Sequence, residues 1–151
     1  MKIQKSINIL NKRARFEYEI LDQLEAGIVL TGTEIKALRS SKASISESFC
    51  QMIEGEMFII NMTIDEYKLG TFYNHKIKRE RKLLLHKREL DKFERKLKDA
   101  GNTIVPLKLY INDRGKAKVL IALARGKKLY DKRQSIKDRD NKRNLDRILK
   151  S

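Results

Sequence analysis

The sequence predicts a small, mostly antiparallel β-barrel with two or three helices packed on it and a basic C-terminal tail. Three observations carry that reading. Apolar and polar residues alternate at period two in several separate short runs, the pattern of half-buried strands. Two stretches switch to helical spacing, without the regular strand–helix–strand alternation that a parallel sheet needs. Near Arg125 the apolar pattern stops, and after Tyr130 only Ile136 interrupts a polar run until Leu145.

The elements follow in chain order. Phe16, Tyr18 and Ile20 alternate with Glu17 and Glu19 and read as a strand, and Gly27–Leu30 as a second short one. Thr31-Gly-Thr33-Glu34 fits a capping box that opens a helix over 32–41 with Ile35 and Leu38 inward. Residues 48–53 and 57–62 flank Glu54-Gly55-Glu56 and read as a hairpin. Leu83–Leu85 reads as a further strand. A helix over 86–100 buries Leu90, Phe93 and Leu97 and stops at Gly101. Ile104–Ile111 is a strand with Val105, Leu107, Leu109 and Ile111 on one face. After the turn Asn112-Asp-Arg-Gly115, the chain returns with Ala117, Val119, Ile121 and Leu123 on one face. Residues 1–124 are thus expected to form the barrel and 125–151 the tail.

Size and charge bound the function. The 151 residues suit one domain plus a tail. No apolar run approaches the ~18 residues of a membrane span, no secretory signal is visible, and the expected location is the cytoplasm. The single cysteine, Cys50, excludes an internal disulfide and a multi-thiolate metal site. The net charge of +15 points to a polyanionic partner. It is segregated: +5 in residues 1–15, −6 in 16–75, +7 in 76–98 and +7 in 125–151. Basic segments that are set apart in this way face an anion.

Catalytic patterns are absent. His75 and His86 are eleven apart with no ligand-spaced partner, and each reads as structural or solvated. Cys50 reads as a buried, inert thiol. The acids of 16–75 read as a solvated surface, and Thr31-Gly-Thr33 has too few glycines to cradle a phosphate. The binding features are Asn11-Lys-Arg-Ala-Arg15 beside Phe16 and Tyr18, the segment Lys76–Lys82 near Phe72, Tyr73 and His75, and the basic tail. Cations beside aromatics suit phosphate contact with base stacking. The tail, too poor in apolar residues to pack alone, is expected to be mobile when free and to turn helical against a polyanion. Its 27 residues could reach roughly 90 Å if extended.

Five strings are more specific. Asn11-Lys-Arg-Ala-Arg15, the stretch from Glu25 to Arg39, Arg81-Lys-Leu-Leu-Leu-His-Lys-Arg-Glu-Leu90, Val105-Pro-Leu-Lys-Leu-Tyr110 and the stretch from Ile121 to Arg133 resemble, in order and spacing, the small protein B family of SsrA-binding proteins. The resemblance runs from about residue 8 to 150. It implies an oligonucleotide-binding (OB) type barrel that needs no cofactor or metal and is not an enzyme. Such a protein binds the tRNA-like domain of tmRNA (SsrA RNA) and takes alanyl-tmRNA to stalled ribosomes for peptide tagging and release. Elongation factor Tu and alanyl-tRNA synthetase are the implied partners through tmRNA. Position by position, it assigns the tmRNA face to Asn11, Lys12, Arg13, Arg15, Glu25, Leu85, Lys118, Lys127 and Lys128. Tyr130, Asp131, Lys132 and Arg133 match the tail segment at the decoding centre, and Ile148 and Leu149 the apolar pair that matters in the message channel. Tyr130 stands where many members have histidine; it keeps a stacking ring but is not cationic near neutral pH. The composition alone also fits a ribosomal or ribosome-assembly protein, and, far less well, a metal-dependent nuclease that uses the acidic segment.

A chain ending at Arg133 is expected to bind tmRNA nearly as tightly as the full chain, yet to fail in tagging stalled peptides. Replacing Ile148 and Leu149 with Asp should reproduce the defect, because it removes the tail's apolar cluster and adds charge that RNA repels. Affinity measured alongside a tagging assay on ribosomes with truncated messages separates the two effects; normal tagging by the shortened chain would rule the tail mechanism out.

Overall fold

The computed structural model describes residues 7–68 and 74–127. Phe72, Tyr73, Lys128, Tyr130, Asp131, Lys132, Arg133, Ile148 and Leu149 lie outside the described residues. In chain order the elements are β1 (Asn8–Leu10), α1 (Ala14–Glu17), β2 (Tyr18–Ile28), α2 (Gly32–Arg39), β3 (Ala43–Ser44), β4 (Phe49–Ile53), β5 (Glu56–Ile60), β6 (Thr63–Ile64), β7 (Arg81–Leu84), α3 (Lys87–Leu97), β8 (Asn102–Ile111) and β9 (Ala117–Gly126). Strands β8, β4, β5, β7, β2 and β9 pair in that order, and β9 pairs back to β8, so six antiparallel strands close a ring. Closure removes the exposed edges that an open sheet would leave. The ring is the OB-like barrel that the resemblance implied. Strand β1 adds to the outside of β8, and β3 pairs with β6 as a separate two-stranded sheet.

The two strands expected over 16–20 and 27–30 are one eleven-residue strand, β2, and Phe16 lies in the short helix α1 before it. The hairpin β4–β5 turns at Glu54-Gly55, both with positive φ (51° and 79°), which matches a two-residue turn of the type that follows strand twist. Helix α2 has the expected capping box, with the Thr31 N–H donating to Glu34 Oε1 at 2.9 Å. It buries Leu38 fully and Ile35 only in part. Helix α3 starts after His86 and buries Phe93, with Leu90 and Leu97 packed against the core beside it. Lys92 holds α3 to β2 through Asp22 at 2.9 Å, and its hydrogen bond is what keeps the Asp22 carboxyl below its ordinary range. Strand β9 runs on to Gly126, two residues past the point where the sequence places the tail.

One strand departs from the expected alternation. In β8, Pro106 opposes Ile121 and Lys108 opposes Leu120, so Leu107 is an extra residue, a β-bulge. Val105 and Leu107 therefore face outward, into a small second cluster with Ala14, Ala122 and Ala124, while Leu109 and Ile111 face the barrel core. The four residues do not share a face, because an inserted residue reverses the parity of all that follow it. A matching bulge at Leu21 does the same to β2: Tyr18 and Ile20 pack on the second cluster, and Leu24, Ala26 and Ile28 on the core.

The core also holds a charge. Glu34 and Arg81 are both fully buried. Glu34 accepts from Arg81 Nε through one carboxylate oxygen and from Arg79 Nη2, at 2.5 Å, through the other. Arg81 Nη1 donates onward to the Met62 and Arg79 carbonyls at 2.9 and 2.8 Å. Burial would raise the Glu34 carboxyl, but the hydrogen bonds from Arg79, the Thr31 amide and Arg81 prevail and hold it below its ordinary 4.5. Glu34→Gln leaves Arg81 buried without its counter-charge and is expected to cost about 3–5 kcal/mol of unfolding free energy in urea denaturation. Because the folded carboxyl is depressed, its contribution is full above pH 4.5 and is lost as pH falls from there through the folded value. The gap between wild type and Glu34→Gln should therefore be widest near neutrality and narrow in acid; a gap that does not change with pH would contradict the assignment.

Candidate nucleic-acid interface

The outward face of the β2–β9–β8 ribbon has two ends of opposite character. At the Tyr18–Gly126 end, Ala14 of α1 covers Ala122, Ala124, Val105 and Leu107. At the other end the register lines up polar residues. Glu25 opposes Leu120, which opposes Lys108; Gly27 opposes Lys118, which opposes Tyr110. Cross-strand partners share a face, so Glu25, Lys118, Lys108 and Tyr110 stand together on the outside.

These residues are joined. The Tyr110 hydroxyl donates to Glu25 Oε2, and Lys108 Nζ sits 5.0 Å from the centre of the Tyr110 ring. Burial first, then the hydrogen bond and charge of Glu25, push the Tyr110 hydroxyl up to about 12. Tyr110 thus stays protonated at ordinary pH and remains the donor.

Beside this group lies a cleft of about 810 Å³ between the end of β2, the β7–α3 connection and the β8–β9 turn. Its size is within the range of about 300–1,000 Å³ of ligand clefts. Glu25, Leu85 and Lys118, assigned to one face from three distant segments, all line it, together with Gly27, Leu84 and Lys116. Leu84 is 53% exposed. Gly27 keeps the wall low, because a Cβ there would come within 3.2 Å of the Leu84 Cβ. The turn that presents Lys116 is fixed by Asn112, whose Oδ1 accepts from the Arg114 and Lys116 amides at 3.0 and 2.9 Å.

The other assigned residues stand elsewhere. Lys12, Arg13 and Arg15 are exposed around α1, and Arg13 makes a loose i, i+4 pair with Glu17 at 3.7 Å. Lys127 follows β9 at that same end, its amide donating to the Glu17 carbonyl at 3.0 Å. The cations near α1 and the cleft are thus separated by the eight residue steps from Lys118 to Gly126, about 26 Å of strand. Asn11 departs from its neighbours. It is 6% exposed, and its side chain donates to the Pro106 and Ile45 carbonyls at 2.9 and 3.3 Å while accepting from the Ala14 amide. Such a side chain has no surface to offer a ligand; it ties the loop before α1 to the bulge in β8.

The segment Lys76–Lys82 presents less charge outward than its composition suggests. Arg79 and Arg81 turn in to Glu34, and Lys82 pairs with Glu56 at 2.8 Å, leaving Lys76 and Lys78 exposed. His75 is buried and structural, bonded through Nδ1 to Thr33 Oγ1 and through Nε2 to the Ile64 carbonyl. His86 is exposed at the start of α3. Cys50 is buried, and burial pushes its thiol up. Among the described residues no group of three His, Cys, Asp or Glu side chains is placed to hold a metal ion, and no helix is long and apolar enough to cross a membrane. Sequence reasoning passed over Tyr110 and Lys108, although Leu109 and Ile111 pointing inward already implies that the two between and before them point out.

Comparison with known proteins agrees with this geometry. The family model described as SmpB protein matches residues 8–151. The chain is 60% identical over 146 residues to an SsrA-binding protein of Flavobacterium psychrophilum, covering 97% of each. It is 57% identical to one of Christiangramia forsetii, covering 98% of this chain and 94% of the relative. It also resembles a chain in a solved structure described as "tmRNA-SmpB: a journey to the center of the bacterial ribosome", with 46% identity, a TM-score of 0.69, and coverage of 85% of this chain and 94% of that one. A family model spanning nearly all of the chain, and relatives more than half identical along their length, mean that this chain belongs to the SmpB protein family.

Proposed function

We propose that this protein binds the tRNA-like domain of tmRNA and carries alanyl-tmRNA to stalled ribosomes for trans-translation. The observation that carries the reading is the convergence of Glu25, Leu85 and Lys118 on one cleft. Their chemistry is complementary. Lys118 and Lys116 supply cations for phosphates, Leu85 and Leu84 an apolar wall for a ribose or base face, and Glu25 an acceptor for a base amine or 2′-hydroxyl. Lys12, Arg13, Arg15, Lys127 and Lys128 extend the contact along the backbone from the α1 end. Asn11 contributes by holding that loop in place. The chain beyond Lys128 acts on the ribosome, Tyr130 to Arg133 at the decoding centre and Ile148 with Leu149 in the message channel. The protein works as a binding partner in the cytoplasm, with elongation factor Tu and alanyl-tRNA synthetase meeting it through tmRNA. Sequencing the RNA that copurifies with the protein tests the reading: one tmRNA species is expected, and ribosomal fragments alone would replace it with a ribosomal or assembly role.

The two ends of the ribbon can be tested separately. Glu25→Ala is expected to weaken binding of the tRNA-like domain by about 1–3 kcal/mol, the scale of one specific polar contact, with the unfolding midpoint unchanged. Unchanged affinity would return Glu25 to the solvated surface. Lys127→Ala with Lys128→Ala should flatten the plot of log K against log[salt] by about 0.7–0.9 for each phosphate no longer neutralised. An unaltered slope would place both lysines off the RNA.

A further inference from the structure

Glu25 is an exposed glutamate on a strand, and such a side chain ordinarily samples many rotamers. Here it does not stand alone. Tyr110 reaches from β8 across β9, over the gap between Lys118 and Leu120, and its hydroxyl donates to Glu25 Oε2. Two strand spacings, about 9–10 Å, separate the backbones of β8 and β2, a gap that only a long, rigid side chain with a polar tip bridges. The ring is itself held, with Lys108 Nζ 5.0 Å from its centre. One carboxylate oxygen of Glu25 is thereby occupied, and the other is left to accept from a ligand.

We propose that Tyr110 is a positioning residue for RNA recognition: it fixes the Glu25 carboxylate at the mouth of the cleft, with Oε1 presented to a base amine or 2′-hydroxyl. The proposal rests on the reading of the cleft as the tmRNA face. A carboxylate ordered before binding loses less entropy when the RNA arrives. Tyr110 also sets the sign of the contact. Its hydroxyl donates to Oε2, which leaves Oε1 as the acceptor that Glu25 offers beside Lys118, and so favours RNA donors at that point. Neither Tyr110 nor Lys108 needs to touch the ligand for this role.

The test uses the full chain and the isolated tRNA-like fragment of tmRNA, with Tyr110→Phe, Glu25→Ala and the double variant. Phenylalanine keeps the ring over Lys108 and removes only the hydroxyl. Tyr110→Phe is expected to weaken binding by about three- to tenfold, the range that ordering one long side chain costs. Added to Glu25→Ala, it should change affinity less than twofold, because its effect passes through Glu25. The slope against salt should stay at the wild-type value, since the same phosphates remain neutralised. Where a variant lowers the unfolding midpoint, affinities are compared at a temperature at which all are folded. Full additivity of the two substitutions would overturn the proposal, as would an unchanged affinity of Tyr110→Phe beside a weakened Glu25→Ala; in both cases the cleft remains the RNA face. If both single variants bind as the wild type does, the assignment of the cleft itself falls, and the positioning role with it.

Discussion

Asn11 donates one hydrogen bond from its side chain to the Pro106 carbonyl and one from its backbone to the Leu107 carbonyl, and by these it occupies the place where β8 carries a residue too many. Without the extra residue, the parity set by Val105 would run on. Leu109 and Ile111 would point to solvent, and Lys108 and Tyr110 into an apolar core. With it, a single strand serves two layers: its first half closes the cluster under α1, and its second half closes the barrel while presenting polar groups outside. The bulge in β2 makes the same exchange on the far side of β9, so both edges of the ribbon switch while β9, which lies between them, alternates without interruption. The composition of the proposed RNA face depends on those two insertions.

The positive charge of the chain is divided between holding the fold together and facing outward. Arg79 and Arg81 sit in a basic-looking segment, yet their guanidiniums run inward to Glu34 and to backbone carbonyls. Lys92 and Lys96 serve Asp22, and Lys82 serves Glu56. Among the described residues, exposed cations remain around α1 at Lys12, Arg13 and Arg15, at Lys76 and Lys78, on α3 at Lys87, Arg88 and Arg95, and at Lys116 beside the cleft. An acidic stretch within a basic chain then has a structural reason: several of its carboxylates are counter-charges, Glu34 to Arg79 and the buried Arg81, and Asp22 and Glu56 to lysines of α3 and β7.

Much of the fold is legible in the sequence because the signals are local. The β4–β5 turn, the capping box of α2, the Phe93 stripe of α3 and the alternation of β9 each need only a few neighbouring residues to be recognised. The bulges could not be read, since an unbroken run such as Val105-Pro-Leu-Lys-Leu-Tyr-Ile111 looks like simple alternation whether or not one residue is inserted. The role of Asn11 stayed hidden for a related reason: its neighbours Lys12 and Arg13 are exposed, and nothing local marks it as buried. Glu34 satisfied the capping motif, which accounted for one carboxylate oxygen and left no reason to look for a use of the other. For the site, the resemblance supplied Glu25, Leu85 and Lys118 one by one. Their meeting in a single cleft is a property of strand register, and so is the bond to Tyr110.

The hydrogen bond from Lys127 to the Glu17 carbonyl marks the last described attachment of the chain to the barrel. Mechanically it is an anchor point. A pull exerted on anything beyond residue 127 arrives first at this bond and then at the end of β9, where Gly126 faces Tyr18 and Arg125 is flanked by Glu19 on one side and Asn102 on the other. Directed along the strand, such a load falls on two ladders at once and meets them in shear, the direction in which many bonds must fail together. Directed across the strand, it opens them one at a time. The barrel therefore resists tension along β9 far better than sideways peeling, and the line of β9 is the axis along which it can transmit force to the opposite end of the ribbon.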